Sequence, residues 1–274
     1  MFLYYNTNGF AHHRLDDAVS LLADLGYDGI ALTPDVHHLD PYRASAGEID
    51  AFRARLERLS LGVTIEGGAR FVLDPGRKHW PTLLSPRGAF ERRQDFYVRL
   101  IDLAERVGAP LVSIWSGASE DVTAEVDAEL DALAERLRPV LDHARTRNVA
   151  VTFEPEPGML VDSLAMFARL KQRIPTLPLT IDTGHLAATE TEPYGAHLEA
   201  HAKDLLYVQI DDAPKGRHEH LFFGEGVLDF GDIARALNTI DYRGVVAVEL
   251  SRHSHDAVNT ARRAADFLRQ HGTA

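Results

Sequence analysis

The stretch Val149-Ala150-Val151-Thr152-Phe153-Glu154-Pro155-Glu156-Pro157-Gly158 decides how the rest of the chain is read. Five residues suited to a strand buried on both faces run straight into a carboxylate. Pro155 cannot donate to a sheet ladder and ends the strand, so Glu154 is expected at its C-terminal tip. The arrangement recurs. Leu177-Pro178-Leu179-Thr180-Ile181 leads into Asp182, Leu205-Leu206-Tyr207-Val208 into Gln209, and Val245-Val246-Ala247-Val248 into Glu249. Four successive apolar runs thus deliver four oxygen-bearing side chains.

Outward from these runs, apolar stretches alternate with amphipathic ones. Short apolar runs at 2–5, 29–32, 63–65 and 110–115 read as strands one to four. Helical spacing covers 15–25, closed by Gly26, then 48–59 with Phe52, Leu56 and Leu59 on one face, and 90–107. A long charged helix is expected over 121–147, with Leu130, Leu133, Leu137, Val140 and Leu141 as its apolar stripe. Further helices are expected at 163–173, 194–203, 230–237 and 255–271. Two long loops, 67–86 and 211–228, interrupt the rhythm, and loops of that length inside compact domains are usually functional or disordered.

Eight strands alternating with eight helices imply parallel βαβ units closed into a (β/α)8 TIM barrel. No proline- or serine-rich linker and no shift of composition separates the halves, so residues 1–274 are expected to form a single domain. In such barrels the active site lies at the C-terminal ends of the strands. Glu154, Asp182, Gln209, Glu249 and both long loops all map there.

Bulk composition narrows the function classes. Of the 274 residues, 45% are hydrophobic and 26% charged, as in ordinary globular proteins. The formal net charge of −12 repels polyphosphate, and no basic patch offsets it, so a nucleic-acid partner is not expected. The chain has no cysteine, which excludes disulfides, thiolate nucleophiles and Cys-ligated zinc or iron–sulfur sites. Nowhere do about 18 apolar residues run consecutively, and the start lacks a basic region followed by an apolar one. A cytoplasmic protein with no membrane span or export signal is expected.

Three carboxylates and an amide at neighbouring strand tips repel one another unless a positive charge sits among them. A divalent cation supplies it, and such hard oxygen donors suit Mg²⁺ or Mn²⁺ better than zinc or copper. Each residue taken singly reads as a strand-end carboxylate capping a helix or pairing locally. Four in register have no structural use in a barrel core, which is packed by apolar side chains. Glu156 competes with Glu154, because both project from the same side of an extended chain.

The sequence Phe153-Glu154-Pro155, Ile181-Asp182-Thr183-Gly184-His185, Tyr207-Val208-Gln209-Ile210-Asp211-Asp212, Gly224-Glu225-Gly226 and Val248-Glu249-Leu250 resembles the xylose-isomerase-like barrel superfamily. That superfamily includes sugar and sugar-phosphate isomerases and epimerases. The resemblance covers the C-terminal half closely and the N-terminal half through barrel rhythm. It implies metal ligands at Glu154, Asp182, Gln209 and Glu249, an acid/base pair at Glu154 and Glu249, and a substrate-contacting histidine at His185. The third ligand is more often histidine in these enzymes. Gln209 is similar to hydroxypyruvate-isomerase-like members and hardens the site towards Mn²⁺ or Mg²⁺. Arg217-His218-Glu219-His220, in the loop after strand seven, resembles the substrate-binding Arg/His segment of the family, so Arg217, His218 and His220 join His185 as expected substrate contacts.

The expected activity is isomerisation or epimerisation of a small polyhydroxy ketone or aldehyde: a sugar, a sugar phosphate or a cyclitol. A keto group and its neighbouring hydroxyl chelate a cation, which stabilises the enediolate formed when the carbon-bound proton leaves. Two flanking carboxylates then serve as base and acid, one protonated through the crowding of negative charge. The alternatives are a lyase dehydrating a keto-cyclitol or a 3-keto glycoside on the same site, a metal-dependent DNA-repair endonuclease, and a non-catalytic sugar-binding subunit. The net charge and the lack of extra histidines for a multi-metal cluster weigh against the endonuclease.

Trp115, at the end of strand four, is expected as an apolar wall for a sugar face or as a core residue. Arg70, Lys78, His79 and Trp80 suggest a lid or a subunit contact, and a homo-oligomer is expected from surface helices and family habit. His12-His13 and His37-His38 lack a third ligand and read as pocket rim or surface. No site for an organic cofactor is expected.

Overall fold

The computed structural model describes residues 1–120 and 123–272. Its eight strands are β1 (Phe2–Asn6), β2 (Gly29–Leu32), β3 (Gly62–Glu66), β4 (Leu111–Ile114), β5 (Ala150–Phe153), β6 (Leu179–Asp182), β7 (Leu205–Ile210) and β8 (Val245–Val248). They close as a parallel barrel in the order β1 to β8, with β8 pairing back onto β1 from Phe2↔Val245 to Tyr5↔Val248. The helices are α1 (Leu15–Asp24), α2 (Ala46–Leu59), α3 (Phe90–Val107), α4 (Val126–Thr146), α5 (Leu164–Arg173), α6 (Thr183–Thr189), α7 (Gly195–Ala200), α8 (Phe230–Thr239) and α9 (Ala257–His271). This is a (β/α)8 TIM barrel.

By contact the chain groups into two compact units, one of residues 1–32, 54–63 and 179–274, the other of 33–53 and 64–178. In the first, β6, β7 and β8 run in register, Asp182 beside Gln209 and Gln209 beside Ala247. The Tyr4 ring lies against the backbone of Gly29 and Gly62. A Cβ at those positions would fall 2.4 Å and 1.7 Å from Tyr4 atoms, so only glycine lets the ring pack there. Phe223, Phe230 and Phe267 form a cluster with ring centroids 5.0–5.2 Å apart, which seats α8 and α9.

In the second unit, α3 buries Phe96, Tyr97, Leu100, Ile101, Leu103 and Ala104 and stops at Gly108, whose φ of 83° supplies the left-handed cap. On α4 the expected stripe Leu130, Leu133, Leu137 and Val140 is buried, and Leu141 is half-buried. The residues Thr123–Glu125 precede the helix, which starts at Val126; the expected start at Asp121 lies outside the described residues.

Two differences from the sequence reading bear on the site. Asp182 is the last residue of β6 and also caps α6, a helix absent from the expectation, because its side chain accepts the backbone N–H of His185. The expected final helix begins at Ala257, and a 3-10 turn over Ser251–Asp256 takes up the preceding residues.

Candidate functional site

In the first unit, Asp182 and Gln209 stand side by side on β6 and β7, each 2% exposed. Asp182 Oδ1 accepts the His185 N–H at 3.0 Å. Asp182 Oδ2 and Gln209 Oε1 are buried and have no hydrogen-bond partner among the described residues. Glu249 follows β8 directly, its own N–H bonded to the Ile210 carbonyl at 3.1 Å. Its Oε1 accepts from Asn8 Nδ2 at 2.8 Å, and Asn8 is braced by Asn6 Oδ1 at 3.0 Å and by the Ser254 hydroxyl at 3.0 Å.

Three histidines gather beside Asp182. His185 is buried at the start of α6, and His218 and His220 are half-buried in the loop after β7. His185 Nε2 and His218 Nε2 are 3.1 Å apart, and His220 Nδ1 lies 2.5 Å from Asp211 Oδ2. Asp211 is fully buried, with Oδ1 accepting the Gly184 N–H at 2.9 Å and its backbone bonded both ways to the Thr183 hydroxyl.

These contacts set the charge states. Burial alone would lower the His220 imidazole, but the hydrogen bond and charge of Asp211, with Glu249 and Asp182, raise it to about 10. Burial and the charge of Asp182 push Asp211 upward as well, so this pair holds its proton tightly. Burial, then His185 and His220, lower His218 to about 3. Burial would raise Asp182, yet the neighbouring histidines hold it below the usual carboxylate range.

In the second unit, Glu154 follows β5 and is 5% exposed, its N–H bonded to the Ile114 carbonyl at 2.8 Å. Glu156 is half-buried, and its N–H goes to Val161. Glu66 ends β3 and is buried. Trp115 is also buried, with the Arg93 guanidinium 4.7 Å from its ring and His79 packed edge-on at 5.3 Å. Arg93 is fully buried on α3. It donates to the carbonyls of Pro81, Gly67 and His79 at 2.9, 3.0 and 2.8 Å, which fixes the loop 67–86 from inside.

The residues expected from sequence divide as follows. Asp182, Gln209 and Glu249 stand at or just beyond the C-terminal ends of β6, β7 and β8, and Glu154 stands just beyond β5. His185, His218 and His220 come together, with ring centroids 4.6–6.1 Å apart. Arg217 does not join them: it is exposed and ion-paired with Glu219. Trp80 donates to Glu120 at 2.7 Å, and Arg70 lies 3.4 Å from Asp35. His12 and His37 are exposed, whereas His38 is buried. Sequence reasoning passed over Asn8, Asp211, Glu66 and Arg93. Glu66 closes an apolar run as Glu154 does, and Asp211 shares the extended-chain parity of Gln209.

A closed parallel barrel with acids and an amide at the C-terminal ends of its strands defines the class of protein. Within that class the chain belongs to the xylose isomerase-like TIM barrel family, which it matches over residues 19–271. It is 28% identical to uncharacterized protein y4fM of Sinorhizobium fredii (strain NBRC 101917 / NGR234) over 52% of its own length and 48% of that protein's. The chain thus spans about half the length of the curated relative it matches. Among solved structures it is similar to D-allulose 3-epimerase from Methylomonas sp., with a TM-score of 0.78 at 17% identity over 99% of this chain and 98% of that one. It is also similar to the 3-keto-D-glucoside 4-epimerase YcjR from E. coli, with a TM-score of 0.79 at 17% identity over 98% and 99% of the two chains.

Proposed function

We propose that this chain is a divalent-metal-dependent isomerase or epimerase of a small polyhydroxy ketone or aldehyde, built as one barrel domain. Glu154, Asp182, Gln209 and Glu249 would hold the ion, with Glu154 and Glu249 as the acid/base pair. The observation that carries this reading is the pair of buried oxygens Asp182 Oδ2 and Gln209 Oε1, in register on β6 and β7 and without a hydrogen-bond partner among the described residues. A buried acceptor left unsatisfied costs about 1–3 kcal/mol. A cation removes that cost, and carboxylate and amide oxygens suit Mn²⁺ or Mg²⁺.

When bound, the ion would stabilise the negative charge of an enediolate. The chain's own groups would do the rest. Asn8 engages Glu249 Oε1, which leaves Oε2 to take or return a proton. Glu154, buried beyond β5, supplies the second carboxylate. The two similar epimerases, named for D-allulose and a 3-keto-D-glucoside, support a polyhydroxy ketone as substrate class.

The test is deuterium exchange in D2O, followed by NMR, with Mn²⁺ or Mg²⁺ and a panel of ketohexoses including D-allulose, their phosphates, a 3-keto-glucoside and hydroxypyruvate. Deuterium entering beside the carbonyl, and lost with chelator, Glu154→Gln or Glu249→Gln, is the expected result. A protein that binds neither ion refutes the reading, and rising ultraviolet absorbance in place of exchange would make the chain a lyase.

A further inference from the structure

Asp212 is completely buried, yet it stands outside the set of strand-tip oxygens. The chain is still extended there, since Asp212 pairs with Leu221 in an antiparallel bridge. Successive residues of extended chain face opposite sides, so Asp212 turns away from the side that Gln209 and Asp211 share. We propose that Asp212 is a positioning residue: its carboxylate folds the loop 211–228 into one preformed shape and so sets where His218 and His220 stand. The inference rests on the isomerase reading in one respect, that these side chains meet the substrate, and it adds what places them.

Four backbone N–H groups among the described residues point at this carboxylate. Oδ1 accepts from Ala213 at 2.9 Å and from Leu228 at 3.2 Å, and Oδ2 accepts from Gly224 and Gly226, both at 2.9 Å. Only an acidic side chain offers two oxygens with lone pairs enough for four donors. Ala213 lies near the start of the loop and Leu228 ends it, so a single side chain ties the returning half of the loop to its beginning.

The rest of the loop follows from this tie. Asp212 and Leu221 exchange backbone hydrogen bonds at 3.1 and 2.8 Å, and the Val227 N–H reaches the Ala213 carbonyl at 3.1 Å. The segment 214–220 is left between them, and it carries Arg217, His218 and His220. Its Gly216 N–H is bonded in turn to the Ala187 carbonyl of α6 at 3.0 Å. The close approach depends on glycine, since a Cβ on residue 226 would lie 2.2 Å from Asp212 Oδ1 and 2.4 Å from the Ala213 carbonyl oxygen. Asp212 and the Gly224-Glu225-Gly226 motif are thus two halves of one device.

A role in stability alone would explain why Asp212 is buried. It would not explain why all four donors belong to the loop that carries the histidines, rather than to the barrel or the helices. Binding groups act by being held in place before the substrate arrives, and a displacement of about 1 Å costs on the order of 100-fold in rate. Loss of the Asp212 carboxylate should therefore move the loop and leave the strand-tip oxygens where they are.

The test perturbs the contact from both sides. Asp212→Asn keeps the side-chain shape but sets an amide NH2 against the N–H donors, and Gly226→Ala pushes from the loop. Amide hydrogen exchange and imidazole NMR are read without substrate. The expected result is slow exchange at Ala213, Gly224, Gly226 and Leu228 in the wild type. In both variants those amides should exchange faster and the His218 and His220 ring signals should shift, while the strands stay protected and Mn²⁺ affinity holds. On a substrate of the panel, kcat/KM should fall by about 100-fold in each variant, and the double variant should fall little further. Ser163→Ala, which removes the cap of α5, is the control for stability alone: it should lower Tm and leave the histidine signals in place. Fast exchange at those amides in the wild type, or histidine signals unmoved in folded Asp212→Asn and Gly226→Ala, would overturn the proposal. A wild type that binds no Mn²⁺ would instead sink the isomerase reading, and the exchange and ring signals would still decide the role of Asp212.

Discussion

Asn8, on the turn after β1, holds Glu249, just beyond β8, by a hydrogen bond of 2.8 Å from its amide Nδ2 to the carboxylate Oε1. The two are neighbours because β8 pairs with β1 to close the barrel. The Asn8 backbone is held on both sides, its N–H by Asn6 and its carbonyl by Ser254, which fixes the point from which the amide reaches the carboxylate. Under the proposed function, Asn8→Ala should weaken Mn²⁺ binding or slow exchange by about 10–100-fold, the usual cost of removing a group that orients a metal ligand. Asn8→Asp, which sets like charges against each other, should cost more. Mn²⁺ titration followed by paramagnetic resonance checks this, and an unchanged affinity in a folded variant would refute it.

Gly184 and Asp211 form the tightest fit behind the histidines. A Cβ at 184 would stand 2.2 Å from Asp211 Oδ1, and Asp211 is fully buried. Gly184→Ala is therefore expected to destabilise the fold by about 1–3 kcal/mol, as overpacking does. The cost should shrink when Asp211→Ala removes the obstacle. Urea denaturation of both single variants and the double variant measures the coupling, and strict additivity would show that the clash is relieved elsewhere.

Arg93 is a buried cation that no carboxylate pairs with among the described residues. Its charge is met by three carbonyls and by the faces of Trp115, Tyr97 and Phe96 at 4.7, 5.1 and 5.5 Å. Arg93→Met keeps the volume but strands those carbonyls, which should cost about 3 kcal/mol or more. Arg93→Lys should fare little better, because a point ammonium cannot span three acceptors in a fork. Thermal denaturation and protease sensitivity of residues 67–86 check this, with wild-type resistance in Arg93→Met as the contrary outcome.

These residues also explain where sequence reading stops. Strand tips were legible because an apolar run followed by proline or an acid has few other meanings, and Glu154, Asp182, Gln209 and Glu249 all fall at strand ends. Helix α6 was not, since it starts within one residue of β6 and its cap, Asp182, reads as a strand end. Arg93 looks like any charged helix residue, and only the folded loop reveals the carbonyls around it. In Arg217-His218-Glu219-His220 no periodicity says which side chains turn inward. The ion pair with Glu219 takes Arg217 outward, and Asp211 draws His220 in.

His79 ties acid stability to the loop 67–86. Its Nδ1 faces the Gly68 carbonyl at 2.5 Å, and its ring packs edge-on against Trp115. Burial, only partly opposed by that hydrogen bond, lowers the imidazole to about 4. Between about pH 6.5 and 4 the unfolded chain binds a proton at this residue that the folded chain refuses. The stability His79 contributes is thus whole above pH 6.5 and is lost as the pH falls towards 4, by up to about 3 kcal/mol. His79→Asn, which keeps a donor for Gly68 but does not titrate, should be less stable at pH 7 yet lose less between pH 7 and 4.5. Urea denaturation at the two pH values, read by tryptophan fluorescence, measures both, and equal losses in variant and wild type would place the acid sensitivity at other groups.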